Sequence, residues 1–183
     1  MSNTTYPFII RCLHWLMALI IIGMIALGIY MHELDDAVSY KLDLYNFHKS
    51  FGVLVILLFV IRFTARARSE VPPMPSALAA WEQKLAHITH YAFYFLMIAA
   101  PVSGYIMSGS FAKGHGIYFF GITLPDLVPK NEQLFETAAE LHEFFTLSLL
   151  FVIILHVVGT LKHRFMDSKE ADVLPRMLGG NRE

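Results

Sequence analysis

Two histidines, His142 and His156, stand fourteen positions apart in ELHEFFTLSLLFVIILHVVG, residues 140–159. An imidazole in so apolar a run finds a partner or leaves a polar nitrogen unpaired, at a cost of about 1–3 kcal/mol. Fourteen helical residues rise about 21 Å and return to within about 40° of the starting direction, so both rings leave one helix face at two depths. His14 and His48 lie in other apolar runs. Imidazole nitrogens ligate metals, but structural zinc favours compact Cys and His clusters. Rings spread over two levels suit two separate centres.

The elements that must position these rings are membrane helices. The 183-residue chain is 56% hydrophobic and 16% charged, too apolar for an ordinary soluble domain. Four apolar runs approach the roughly 20 residues that cross a hydrocarbon core. They cover about 12–31, 47–63, 88–107 and 142–161, leaving a tail at 162–183. The expected fold is therefore all-α, a single integral membrane four-helix bundle. Helix two is expected to extend upstream toward Ser39, and Pro101 with Gly104 predicts a kink or local unwinding in the third span. The first run has no small-residue cleavage site after it and reads as a retained span.

Loop charge gives the orientation. Arg11, Arg62, Arg66, Arg68, Lys84, Lys162, Arg164, Lys169, Arg176 and Arg182 fall on one side, against Lys41, Lys49, Lys113 and Lys130 on the other. The positive-inside rule then makes both termini and the 62–87 loop cytoplasmic, in a multi-pass protein. A net charge near −1 with no basic stripe argues against a nucleic-acid partner. The single cysteine, Cys12, excludes an intrachain disulfide framework and covalent c-type haem attachment, which needs C-x-x-C-H.

With this topology His48 matches the depth of His142, and His14 that of His156. Four histidines on three helices thus form an outer and an inner pair. Haem iron takes an axial imidazole on each face and the porphyrin takes a slot between apolar helices, so the constellation fits two bis-histidine b-type haems. Gly52, Gly159, Gly23 and Gly28 are small residues near the ligands that let a flat macrocycle approach. His87 and His90, three apart, share a face at the start of the third span. His90 is a reserve ligand for the inner centre; otherwise one or both histidines relay protons or simply face the interface. Arg62, Arg66 and Arg68 suit haem propionates or act only as topology determinants. Lys49, Lys113 and His115 are the cations nearest the outer centre and could steer a substrate. GSFAKGHGIYFFGITLP, 109–125, is expected either to fold back as a lid over the outer centre or to lie along the interface.

These residues carry a resemblance. HW at 14–15, FHKSFG followed by VIRF, LAHITHYAFYFLMIAAPVSGYIM, FFGITLP, LHE at 141–143, LHVVGTLKHRF and VLPRML resemble, in order and spacing, the bacterial cytochrome b561 family. These are small di-haem inner-membrane cytochromes that include superoxide oxidases. The resemblance implies two haem b groups, with His14 and His156 ligating the cytoplasmic-side iron and His48 and His142 the periplasmic-side iron. It also implies ubiquinone as acceptor, with His163 in the quinone site and His90 and His87 as candidate quinone-proximal groups. The implied activity is that of a superoxide:ubiquinone oxidoreductase, electrons passing from a periplasmic-side donor through both haems to the quinone. The implied partners are membrane lipid, quinone, and superoxide or another periplasmic donor; a homo-oligomer is also compatible with such a bundle.

Two other readings stand beside it. A cytochrome b subunit docked to a dehydrogenase or hydrogenase would use the same four ligands. A haem-free small transporter would use the histidines as a relay, but the chain has neither a mid-membrane acid nor an inverted repeat.

Overall fold

The computed structural model describes residues 5–114 and 116–180. Four long helices dominate: α1 (Phe8–Glu33), α2 (Lys41–Ala67), α3 (Ala80–Ser110) and α4 (Glu132–Phe165). All four are long and apolar enough to cross a membrane. Each exceeds the apolar run that announced it, because backbone hydrogen bonding continues after hydropathy falls. α4 starts ten residues before His142, where Asn131 Oδ1 accepts from Leu134 N at 2.8 Å and caps the helix. It ends at Phe165, so the expected tail begins inside the helix. α2 starts at Lys41, close to the expected upstream limit. α3 stays helical through Pro101, so no unwound segment appears there.

The core is a layer at mid-height. Met17, Ile21 and Ile25 of α1 meet Val55 and Phe59 of α2, Leu96 and Met97 of α3, and Leu149 of α4. α3 and α4 run closely together, as do α1 and α2, and α2 also packs on α3, whereas α4 approaches α1 only locally. Only 6% of the apolar window of α4 is buried, against 33% for α3. The seam between α4 and the α1–α2 pair is thus loosely filled by protein, with room for something flat.

Both ends of the bundle carry a cover. Tyr6 N donates to Arg176 O at 3.0 Å and Arg176 Nη1 to Pro73 O at 2.5 Å, bringing the start of the chain, the α2–α3 loop and the C-terminal segment to one end. That segment holds a 3-10 turn, Lys169–Ala171, and a short helix α5, Leu174–Leu178. The opposite end carries an antiparallel hairpin, β1 (Ile117–Phe119) and β2 (Ile122–Leu124), in register Ile117↔Leu124, Tyr118↔Thr123 and Phe119↔Ile122. Its two-residue turn, Phe120 at φ 44° and Gly121 at φ 95°, has the positive φ pair of a type I′ turn. Strands of three residues are too short to carry an alternating pattern, so this hairpin within an otherwise all-α fold was invisible to periodicity.

Candidate haem sites

The hairpin-end site begins with His48 on α2 and His142 on α4, whose ring centroids lie 6.2 Å apart with planes at 85°. The His142 ring lies against the backbone of α3. Its Nδ1 is 2.8 Å from the Ala100 carbonyl, an acceptor, so Nδ1 bears the hydrogen and Nε2 keeps its lone pair. A Cβ on Gly104 would stand 3.0 Å from this ring, closer than a methyl group is tolerated; glycine there admits the histidine. At Gly28 a Cβ would stand 3.5 Å from His48 Cε1, an ordinary van der Waals contact, so the close approach is particular to Gly104. His48 Nδ1 is buried with no hydrogen-bond partner, a costly condition in an apolar site.

The hairpin closes over this level through Ser50, two residues beyond His48. Ser50 Oγ donates to Asn46 O at 2.8 Å and accepts from Phe120 N at 3.1 Å. Phe51 and Phe120 meet edge to face at 5.3 Å. Of the two expectations for this segment, the structure takes the fold-back one: the strand stacks on α2 beside His48. Nearby, Lys41 pairs with Asp36 and Lys130 with Asp126, each at 2.7 Å. Lys49 is half-buried and Lys113 exposed, and neither makes an ion pair among the described residues. His115 lies outside the described residues.

At the other end His14 on α1 and His156 on α4 have ring centroids 6.3 Å apart, planes at 65°. His90 on α3 stands 6.1 Å from the same His156 ring. Two histidines therefore compete for one partner. Arg62 Nη2 reaches His14 Nδ1 at 3.1 Å; a guanidinium only donates, so this contact uses the Nδ1 lone pair and puts the ring hydrogen on Nε2. Trp15 packs edge-on to His14 at 5.2 Å and donates Nε1–H to Met177 O at 3.2 Å, linking the ring to the C-terminal cover. Phe93 closes the other side of His156 at 5.4 Å.

His87 is exposed on α3, one turn before His90. His163 stands apart from the pairs, its Nδ1 2.6 Å from Asp167 Oδ2. Among the glycines expected to line the sites, Gly23 is exposed, and a Cβ there or on Gly52 or Gly159 would meet nothing within 4 Å. Gly104, anticipated only as a helix breaker, makes the closest approach to a ring. Asp167 and the Ala100 carbonyl were missed altogether, since a backbone acceptor and a lone tail carboxylate carry no sequence signal.

The ring spacings are a test of fit. A metal–imidazole bond of about 2 Å, with the ring centroid about 1.1 Å behind the nitrogen, sets two axial imidazoles on one iron about 6.2–6.3 Å apart. Both ring pairs have this separation, across a loosely packed seam, with glycine at the hairpin-end rings. A model for the prokaryotic cytochrome b561 family matches residues 5–180.

The chain belongs to that family. Cytochrome b561 homolog 2 of Escherichia coli (strain K12) is 34% identical over 176 residues, covering 95% of this chain and 91% of that protein. A protein described as a probable superoxide oxidase CybB, from Yersinia pestis, is 27% identical over 169 residues, covering 91% and 94%. Cytochrome b561 homolog 1 of Escherichia coli is 26% identical over 135 residues, covering 70% and 73%. As a cytochrome b561, this multi-pass membrane protein binds haem b and acts in electron transfer.

Proposed function

We propose that this cytochrome b561 holds two haem b groups and moves electrons from a donor at the hairpin end to ubiquinone at the end that gathers the termini. The observation that carries the reading is the pair of histidine couples with centroids 6.2 and 6.3 Å apart, on either side of an apolar layer. His48 and His142 would hold the hairpin-end iron, and His14 and His156 the other. When bound, the haems supply the one-electron chemistry that no side chain here provides.

The protein's own groups do the rest. Ala100 orients His142 through its Nδ1–H; the Met17–Leu149 layer keeps water from the space between the levels; the hairpin covers His48. Lys49 and Lys113 suit an anionic donor at an acidic face, because the other two cations there are neutralised by Asp36 and Asp126. Superoxide is the donor that best joins this patch to the 27% identical relative. Two superoxide ions lose one electron each to give two dioxygen molecules, and ubiquinone takes up both electrons with two protons to give ubiquinol. His163 is placed to hand a proton to the quinone. The charge bias of the loops supports a periplasmic hairpin end.

Reduced-minus-oxidised spectra and a pyridine haemochrome assay on the purified protein should give two low-spin haem b per chain; one or none would sink the di-haem reading. Stopped-flow mixing with superoxide and a ubiquinone analogue should reduce and then reoxidise the haems. If superoxide leaves them oxidised, a docked dehydrogenase or hydrogenase becomes the donor.

A further inference from the structure

Beyond both histidine pairs, the end of α4 carries a run of charged contacts that crosses from α3 to the tail. Lys162 Nζ donates to Glu82 Oε1 at 2.5 Å and to Asp167 Oδ2 at 2.8 Å. The same Asp167 oxygen meets His163 Nδ1 at 2.6 Å. Glu82, His163 and Asp167 bring their ligand atoms within 4.8 Å of one another, yet the Lys162 ammonium bridges the two carboxylates, so the group is balanced by a resident cation. The Asp167 carboxyl is held below the usual carboxylate range, first by the Lys162 contact and then by His163. At neutral pH it is an ionised oxygen pair, which only accepts.

An acceptor at Nδ1 decides the tautomer of His163. The hydrogen sits on Nδ1, and Nε2 is the nitrogen left for a ligand. The ring is largely buried, its side chain 15% exposed, and it lies seven residues beyond His156 on the same helix. An imidazole so held offers its Nε2 lone pair to a quinol hydroxyl and, once protonated, an N–H to a quinone carbonyl. Carboxylates that orient a working histidine in this way typically matter ten- to hundred-fold.

We propose that Asp167 is a positioning residue for His163: it fixes the Nδ1–H tautomer and aims Nε2 at the quinone head group, while Lys162, tied across to Glu82 on α3, holds the carboxylate in place. The quinone half of this statement rests on the reading of His163 given above; the tautomer half does not.

The test uses the di-haem protein in lipid nanodiscs, 15N-labelled at histidine and reduced with dithionite, with the His163 resonance assigned through H163Q. The wild type should show His163 with Nδ1 protonated. Asp167→Ala should move it toward the Nε2–H form and raise the KM for ubiquinone-1 about tenfold. Asp167→Asn, whose Oδ1 still accepts from Nδ1–H, should keep the tautomer even if losing Lys162 lowers the melting temperature, and Asp167→Glu should restore the KM. An Nε2–H ring in the wild type, or a tautomer indifferent to Asp167→Ala, overturns the proposal. If the tautomer responds but H163Q leaves the quinone KM unchanged, the quinone role of His163 falls and its orientation by Asp167 stands.

Discussion

The two histidine levels look alike in spacing and differ in preparation. At the hairpin end His142 donates from Nδ1 to Ala100 and already presents the Nε2 lone pair that a metal takes. Its partner His48 has a buried, unpaired Nδ1, and among the described residues no third histidine ring stacks on the pair. At the other end Arg62 occupies Nδ1 of His14 and leaves hydrogen on Nε2, so iron binding through Nε2 requires that contact to break. His90 stands as close to His156 as His14 does. The difference teaches that similarly spaced histidine pairs can be preset by backbone at one level and left adjustable by side chains at the other.

The strongest way to break the comparison is to remove a ligand. On the proposed di-haem reading, His142→Ala should cut the haem content from two per chain to one, because among the described residues no third imidazole stacks on this pair. His14→Ala should lose less, since His90 can take its place against His156; His14→Ala combined with His90→Ala should then lose that haem entirely. Equal losses from the two single variants, read by pyridine haemochrome, would erase the asymmetry.

Next in size is a test of backbone approach. Gly104→Val puts a Cβ 3.0 Å from the His142 ring, and overpacking of this kind costs about 1–3 kcal/mol. The melting temperature should fall and the hairpin-end haem spectrum should broaden. Gly23→Ala, on an exposed face with nothing within 4 Å, should be neutral or stabilise by up to about 1 kcal/mol. A smaller effect concerns Arg62. Titrating haem into haem-stripped protein should fill the hairpin-end site first, and Arg62→Gln should narrow the gap by freeing His14; a gap that widens instead would give Arg62 a propionate-binding role that outweighs its competition for the ring.

The smallest expected effect is a pH dependence at the termini end. Asp167 has a depressed carboxyl in the folded protein, so its contribution is present above the ordinary value of about 3.9 and is lost as pH falls through the lowered one. The melting temperatures of wild type and Asp167→Asn should therefore differ at neutral pH and converge only once the pH has fallen below the ordinary carboxylate range. Convergence already near pH 6 would point to a different titrating group.

How much of this was legible depends on the physical range of each interaction. Span-length apolar runs report a local property, transfer into hydrocarbon, and four of them announced four helices. The fourteen-residue interval on α4 is likewise local, since helical rise and twist alone stack His142 above His156. Backbone hydrogen bonding carried each helix beyond its apolar run, with a side-chain cap at the start of α4, and a three-residue strand pair fell below what alternation can register.

What the sequence by itself determined was the membrane bundle and the two depths of imidazole, because helix periodicity and hydropathy act within one segment. Only the tertiary structure decided which rings meet, that Gly104 yields its Cβ space to His142, that Arg62 contends for His14, and that Asp167 holds His163. Those are contacts between segments up to tens of residues apart or across a helix end. They depend on how one helix leans on another, and hydrogen bonds and van der Waals contacts act only over a few ångströms.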